Sequence, residues 1–133
     1  MGLSRFVYAV RRHLCVPDVI VDFLCDDEIL FVAVENIGDG PAHHVSVSFK
    51  PEVSGIHGET VISNLSLFQC LSFLPPGKEI RTPVDPVQEY FDREAPTQIQ
   101  SIIHFESDTG ATLSRSIEHD LRIYDTSTRT LHH

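Results

Sequence analysis

The chain has 133 residues, of which 41% are hydrophobic and 22% charged, values that fit one globular domain and exclude wholesale disorder or collagen-like repetition. No apolar run approaches the roughly 18 residues that a membrane-spanning helix needs. Lys and Arg total 10 against 19 Asp and Glu, a net charge of −9. A phosphate backbone repels such a surface, so nucleic acid is not an expected partner.

Residues 1–16 read as an amphipathic helix or arm. Leu3, Phe6, Val7, Val10 and Leu14 recur at helical spacing. Arg5, Arg11 and Arg12 give residues 1–14 a charge of +3 without any acid, and removing it from −9 leaves −12 on the rest. Arg11 and Arg12 interrupt the apolar region too early for a signal peptide. Phe6 stands where a myristoylation signal needs Ser or Thr. Two roles are expected for the segment: packing on its own domain, or lying on a membrane or partner.

From residue 17 the period becomes two. Val19, Val21 and Phe23 share one face of a predicted strand, with Ile20, Asp22 and Leu24 on the other. After a charged turn at Cys25–Glu28, Leu30, Val32 and Val34 alternate with Phe31, Ala33 and Glu35. Asn36-Ile37-Gly38-Asp39-Gly40-Pro41 is a strong turn signal, with Asn and Gly expected to supply positive φ. A third strand places Val45, Val47 and Phe49 inward and His44, Ser46, Ser48 and Lys50 outward. Residues 51–58 read as loop, and 60–74 as one or two short strands of poor period. A turn at Pro75–Lys78 leads to a short strand over 79–82. An irregular piece between Pro83 and Pro86 follows, then a helical turn over 87–91.

The last two predicted strands, 97–106 and 112–124, carry inner residues Ile99, Ile103 and Phe105, and Leu113, Ile117, Leu121 and Ile123. All are odd-numbered, so opposing residues must sum to an even number. A three-residue loop, Asp108-Thr109-Gly110, satisfies this, with Gly110 left-handed and Phe105 facing Leu113. The same register sets Arg115 opposite Ile103, acceptable only near a rim where its head reaches water. Residues 17–125 are therefore expected to form an antiparallel β-sandwich of six to eight short strands, with a closed barrel as the alternative. Residues 126–133 read as a polar tail.

LFVAVENIGDGPAHHVSVSFKP resembles the strand, Asn-x-Gly-x-Gly-Pro-Ala, strand pattern of bacterial and archaeal immunoglobulin-like sandwich domains, of which the cell-adhesion-related bacterial group is the best known. FLPPGKEI is similar to their entry to a middle strand, and IIHFESDTGATLSRSI to their closing hairpin. The resemblance implies an all-β, immunoglobulin-like sandwich of about seven strands, preceded here by the short N-terminal helix, and a non-catalytic module.

Chemistry-bearing residues are scattered. Cys15, Cys25 and Cys70 show no Cys-x-x-Cys spacing and read as free thiols of a reducing, cytoplasmic compartment, with a membrane-peripheral location as the alternative. Cys70, in an apolar stretch, is expected to be buried. His43 and His44 are adjacent and should face opposite sides of a strand. His104 and His119 fall on opposite faces in the register above. Asp26, Asp27 and Glu28, with Asp39 in a neighbouring loop, have no D-x-D-x-D spacing for calcium. No nucleophile elbow and no phosphate loop occur. No catalytic residue, metal or cofactor is therefore expected.

The apolar residues on the polar-patterned faces are more informative. Ile20, Leu24, Phe31 and Ala33, joined by Ile102 if it shares their face, would form an interaction patch. The apolar face of the N-terminal helix, Leu3, Phe6, Val7 and Val10, would either cover that patch or make contacts of its own. The expected function is non-catalytic protein–protein interaction, with another protein or with itself. A carbohydrate-binding sandwich is one alternative, with only Tyr8, Tyr90 and Tyr124 and no Trp as platforms. A membrane-peripheral protein held by residues 1–14 is the other.

Overall fold

The computed structural model describes residues 15–125; the expected N-terminal helix, with Leu3, Phe6, Val7, Val10 and Tyr8, and the C-terminal tail lie outside the described residues. The described residues fold mostly as antiparallel β-sheet. Strands β1 (Val19–Asp26), β2 (Ile29–Asn36) and β3 (Ala42–Lys50) are followed by two-residue β4 (Ser54–Gly55) and β5 (Thr60–Val61). A 3-10 turn (Ile62–Asn64) and a one-turn helix α1 (Ser66–Gln69) lead to β6 (Leu71–Leu74) and β7 (Glu79–Pro86). Helix α2 (Val87–Asp92), β8 (Gln98–Glu106), β9 (Thr112–Asp120) and a 3-10 turn (Leu121–Tyr124) complete the order. The first sheet runs β1-β2-β7, the second β6-β3-β8-β9, and β4 pairs with β5.

Alternation drives this arrangement. Val19, Val21 and Phe23 on β1, and Leu30, Val32 and Val34 on β2, are buried in one core with Val45, Val47 and Phe49 of β3 and Ile99, Ile103 and Phe105 of β8. Phe23 of the first sheet meets Phe49 of the second edge-on at 6.0 Å, and Phe49 meets Phe68 of α1 at 5.6 Å. One oily layer shared by two sheets buries the apolar rows of β1, β2, β3 and β8, which is the main stabilising term.

The β8–β9 hairpin has the expected register, Phe105 opposite Leu113 and Ile103 opposite Arg115. Gly110 adopts φ +82, and its N–H donates to the Ser107 carbonyl at 2.9 Å. Arg115 lies on edge strand β9 and pairs with Asp18, with 43% of its side chain exposed.

Several expectations are corrected. Strand β7 is longer than 79–82: it continues through Pro83 to Pro86, which its edge position permits because no further strand needs the proline nitrogen. Its register against β2 shifts between Leu30 and Phe31, inserting Val84 as a bulge so that Val84 and Asp85 are both buried. The final strand stops at Asp120. In the 3-10 turn that follows, Leu121 is buried while Ile123, expected inside, is 60% exposed. Residues 51–58 and 60–74 contain strand and helix fragments where loop or strand alone was expected. Cys70 is exposed at the end of α1 rather than buried, because Leu67 and Phe68 take the core positions of that turn.

The 36–41 turn works differently from expectation. Asn36, Gly38 and Gly40 do not adopt positive φ. Instead the two glycines admit residues 15–18 at close range: a Cβ on Gly38 would collide with the Val16 carbonyl, and one on Gly40 would lie 2.6 Å from that of Cys15. Asn36 is completely buried. Its Oδ1 accepts from Asp18 N–H at 3.2 Å and Gly38 N–H at 3.0 Å, and its Nδ2 donates to the Gly40 and Leu74 carbonyls at 2.9 and 3.0 Å. One amide thus satisfies four backbone groups where β1, β2, β3 and β6 converge, groups that would each cost about 1–3 kcal/mol if buried unpaired.

Candidate functional site

The expected contact residues of the first sheet sit on its outer face. Leu24 lies directly opposite Phe31, and Phe31 opposite Pro83 of β7, so the three form a row across the sheet. Ile20 faces Glu35 and Asp22 faces Ala33. Ile20, Leu24 and Phe31 are half-buried, and Ala33, beneath its larger neighbours, is 3% exposed. The Arg81 guanidinium stands 5.6 Å from the centre of the Phe31 ring and is held by Glu79 at 2.8 Å. Asp26, at 3.8 Å from Arg81, closes that side. The row thus has an apolar centre containing an aromatic ring and an arginine, bordered by charge. Ile102 does not belong to it: β8 is in the other sheet, so the wider patch expected to include Ile102 does not form.

A second cluster escaped sequence reading. Asp85, carried inward by the Val84 bulge, has a fully buried side chain. Its Oδ2 accepts from Arg93 Nε and Nη2 at 3.1 and 2.7 Å, and its Oδ1 from the His57 backbone N–H at 2.9 Å. Arg93 Nη2 also donates to the Ser54 carbonyl at 2.5 Å, and the guanidinium lies 5.0 Å from the Tyr90 ring centre. The His57 Nδ1 meets Glu89 at 2.9 Å. One ligand atom each from His57, Asp85 and Glu89 fit within 4.8 Å of one another, close enough to hold a cation. Arg93 already pairs with Asp85 there, and both Asp85 oxygens already accept hydrogen bonds. The arrangement pins the 56–58 loop, which runs at positive φ (Ile56 +55, His57 +61), onto β7 and α2. Only one sequence signal pointed to Asp85: an acid inside the Val84–Val87 apolar stretch.

The other chemistry-bearing residues stay apart. Register shifts at β3, where His44 adopts φ +50, so the two histidines do not simply alternate. His43 pairs with Asp108 at 2.6 Å and His44 with Glu106, both acids belonging to the β8–β9 hairpin region. Asp39 cannot join Asp26, Asp27 and Glu28, because the pairing of Val19 with Asn36 and Asp26 with Ile29 puts the two loops at opposite ends of β1–β2. His104 and His119 lie on opposite faces as expected. His119 packs edge-on to Phe23 at 4.9 Å and contacts Ser101 Oγ at 2.9 Å; burial holds its pKa below 6.5, a fall that nearby Asp22 opposes. Tyr90 is fully enclosed. Burial pushes its hydroxyl up to about 12, Arg93 working against that shift and Asp85 with it. Among the described residues no helix is long and apolar enough to cross a membrane.

No curated protein and no solved structure matches the chain. A family match does extend over residues 9–125, taking in both sheets and their shared core. The chain therefore belongs to the family described as Domain of unknown function (DUF8453).

Proposed function

We propose that this chain is a non-catalytic protein-interaction module built on an immunoglobulin-like β-sandwich. The fold reading is supported by strand order: β1-β2-β7 follows the A-B-E order of such domains and β3-β8-β9 their C-F-G order, with β6 beside β3. The functional reading rests on one observation, the Leu24–Phe31–Pro83 row under Arg81 on the outer face of the first sheet. The most closely knit polar cluster, around Asp85, has both carboxylate oxygens committed to Arg93 and backbone, which supports a structural role for it over a catalytic one. A sugar platform gains no support from Tyr90, enclosed in the core, or from Tyr124, whose hydroxyl donates to the Phe23 carbonyl at 2.7 Å.

Affinity capture with the wild type, Phe31→Asp and the control Ile102→Asp tests the reading, together with sedimentation velocity over a concentration series. The expected result is a set of co-purifying proteins, or a self-association, that Phe31→Asp abolishes and Ile102→Asp leaves intact. Identical capture by all three proteins, with monomers at every concentration, overturns it.

A further inference from the structure

The edges of the two sheets are β1 and β7 of the first and β6 and β9 of the second. Three of them are guarded in ways common to natural edge strands. β7 carries Pro83, Pro86 and the Val84 bulge, and β6 has only four residues. On β1 the Asp18 carbonyl accepts from the Ile37 N–H, so even-numbered residues bond to β2 and odd-numbered ones turn outward. The outward carbonyl of Phe23 accepts from the Tyr124 hydroxyl at 2.7 Å. β9 is different: its nine residues keep an unbroken register against β8 and include no proline or lysine. The Ser107 N–H donates to the Ala111 carbonyl and the Leu121 N–H to that of Thr97, which sets the odd-numbered residues of β9 toward β8. The backbone groups of Thr112, Ser114, Ser116, Glu118 and Asp120 therefore point away from the sheet, and all five residues are exposed. Among the described residues, β8 is the only strand paired with β9. We propose that this edge pairs with the β9 edge of a second copy, antiparallel about a two-fold axis at Ser116, so that two four-stranded sheets join into one.

A second copy fits because β9 is complementary to itself, as a two-fold interface requires. With Ser116 opposite Ser116, the whole of Thr112–Asp120 is matched and every outward backbone group meets another. Ser114 then faces Glu118 and Thr112 faces Asp120, so the acids of the two copies lie toward opposite ends of the seam. On the inner face Arg115 is opposite Ile117, and Leu113 opposite His119. No like charges oppose each other. Sliding one copy by two residues, the smallest step that keeps the bonding parity, either sets Arg115 against Arg115 or leaves Thr112 and Leu113 without partners. The apolar gain comes from Leu113 and Ile117, which pack on the core and stay half-exposed at this edge. Arg115 brings no unanswered charge, because Asp18 of its own copy holds its head. The seam lies on the second sheet and the Phe31 row on the first, so the two readings stand or fall separately.

Sedimentation velocity of the full chain over a concentration series tests the pairing. The expected result is a dimer that Phe31→Asp retains. Ser116→Pro removes an outward N–H that the β8 pairing does not use, a change that edge strands tolerate, and should weaken the dimer about tenfold. Ser116→Lys and Ser116→Glu each set like charges opposite one another on the axis and should weaken it several-fold, whereas an equimolar mixture of the two should restore it as a heterodimer. Ser116 is exposed and its Oγ accepts from Gln100 at 2.7 Å, so these two variants keep the fold and the test readable even if the proline variant unfolds. Monomers at every concentration overturn the proposal. A dimer that all three Ser116 variants leave intact overturns it too, and in favour of the Phe31 row if Phe31→Asp abolishes that dimer. Monomers with a co-purifying protein that Ser116→Pro releases overturn it in favour of a foreign strand.

Discussion

At the scale of single residues, the structure places its few buried polar groups where backbone needs them. Asn36 and Asp85 act alike: each gathers loop groups that would otherwise be buried without partners, one at the 36–41 turn and one at the 56–58 loop. His119 is the residue with a consequence for pH. Its burial beside Phe23 keeps the folded-state pKa below the ordinary 6.5, so the unfolded chain takes up a proton first as pH falls. The contribution of neutral His119 is therefore fully present above 6.5 and is lost as pH drops through 6.5 toward the lower folded value. Wild type should lose more stability than His119→Asn on going from about pH 7.5 to about pH 5.5, read as the shift in urea midpoint. Asn keeps a polar contact for Ser101 without the titration. Parallel losses in the two proteins would remove His119 as the cause.

At the scale of elements, legibility followed periodicity. The inward rows of β1, β2, β3 and β8 were readable because each strand buries one face, and a slip of one residue would expose the whole row. The β8–β9 register was readable from parity together with a three-residue loop that sets Gly110 in the left-handed position. Bulges defeated the same logic: Val84 and His44 each add one residue to a strand, and nothing in the local sequence marks an insertion that only the partner strand reveals. The Asp85–Arg93 cluster was hidden for that reason, since Asp85 faces inward only after the Val84 bulge. The row through Leu24 and Phe31 was legible as apolar residues on the outer parity, whereas Arg81 above Phe31 depended on which strand lies next to β2. The hairpin also offers a clean test of backbone conformation. Nothing lies within 4 Å of a Cβ added at Gly110, so Gly110→Ala meets only the penalty of φ +82. The expected cost is about 1 kcal/mol, seen as a lower urea midpoint with unchanged m. A neutral effect would show that the loop relaxes to another turn.

At the scale of the whole molecule, the question is whether two sheets make one folding unit. Neither sheet has a core of its own: the inner rows of both lie in a single cluster, and Val53, Ile62, Phe68, Tyr90 and Leu121 from the connections fill its ends. Phe49 is the junction, in edge contact with Phe23 across the layer and with Phe68 of α1. Removing its ring leaves a cavity that touches both sheets and a connecting helix. Phe49→Ala should therefore destabilise the protein by about 3–5 kcal/mol. The loss should appear equally in the far-ultraviolet dichroism of the strands and in the fluorescence of buried Tyr90, read in a Tyr8→Phe/Tyr124→Phe background where, with no tryptophan in the chain, Tyr90 alone emits. Coincident transitions in wild type and variant are the expected outcome for one cooperative domain. If the two probes separate in the variant, with strand signal surviving the loss of the Tyr90 environment, then one sheet holds together without the other. The shared layer would then be a contact between two units and not the core of one.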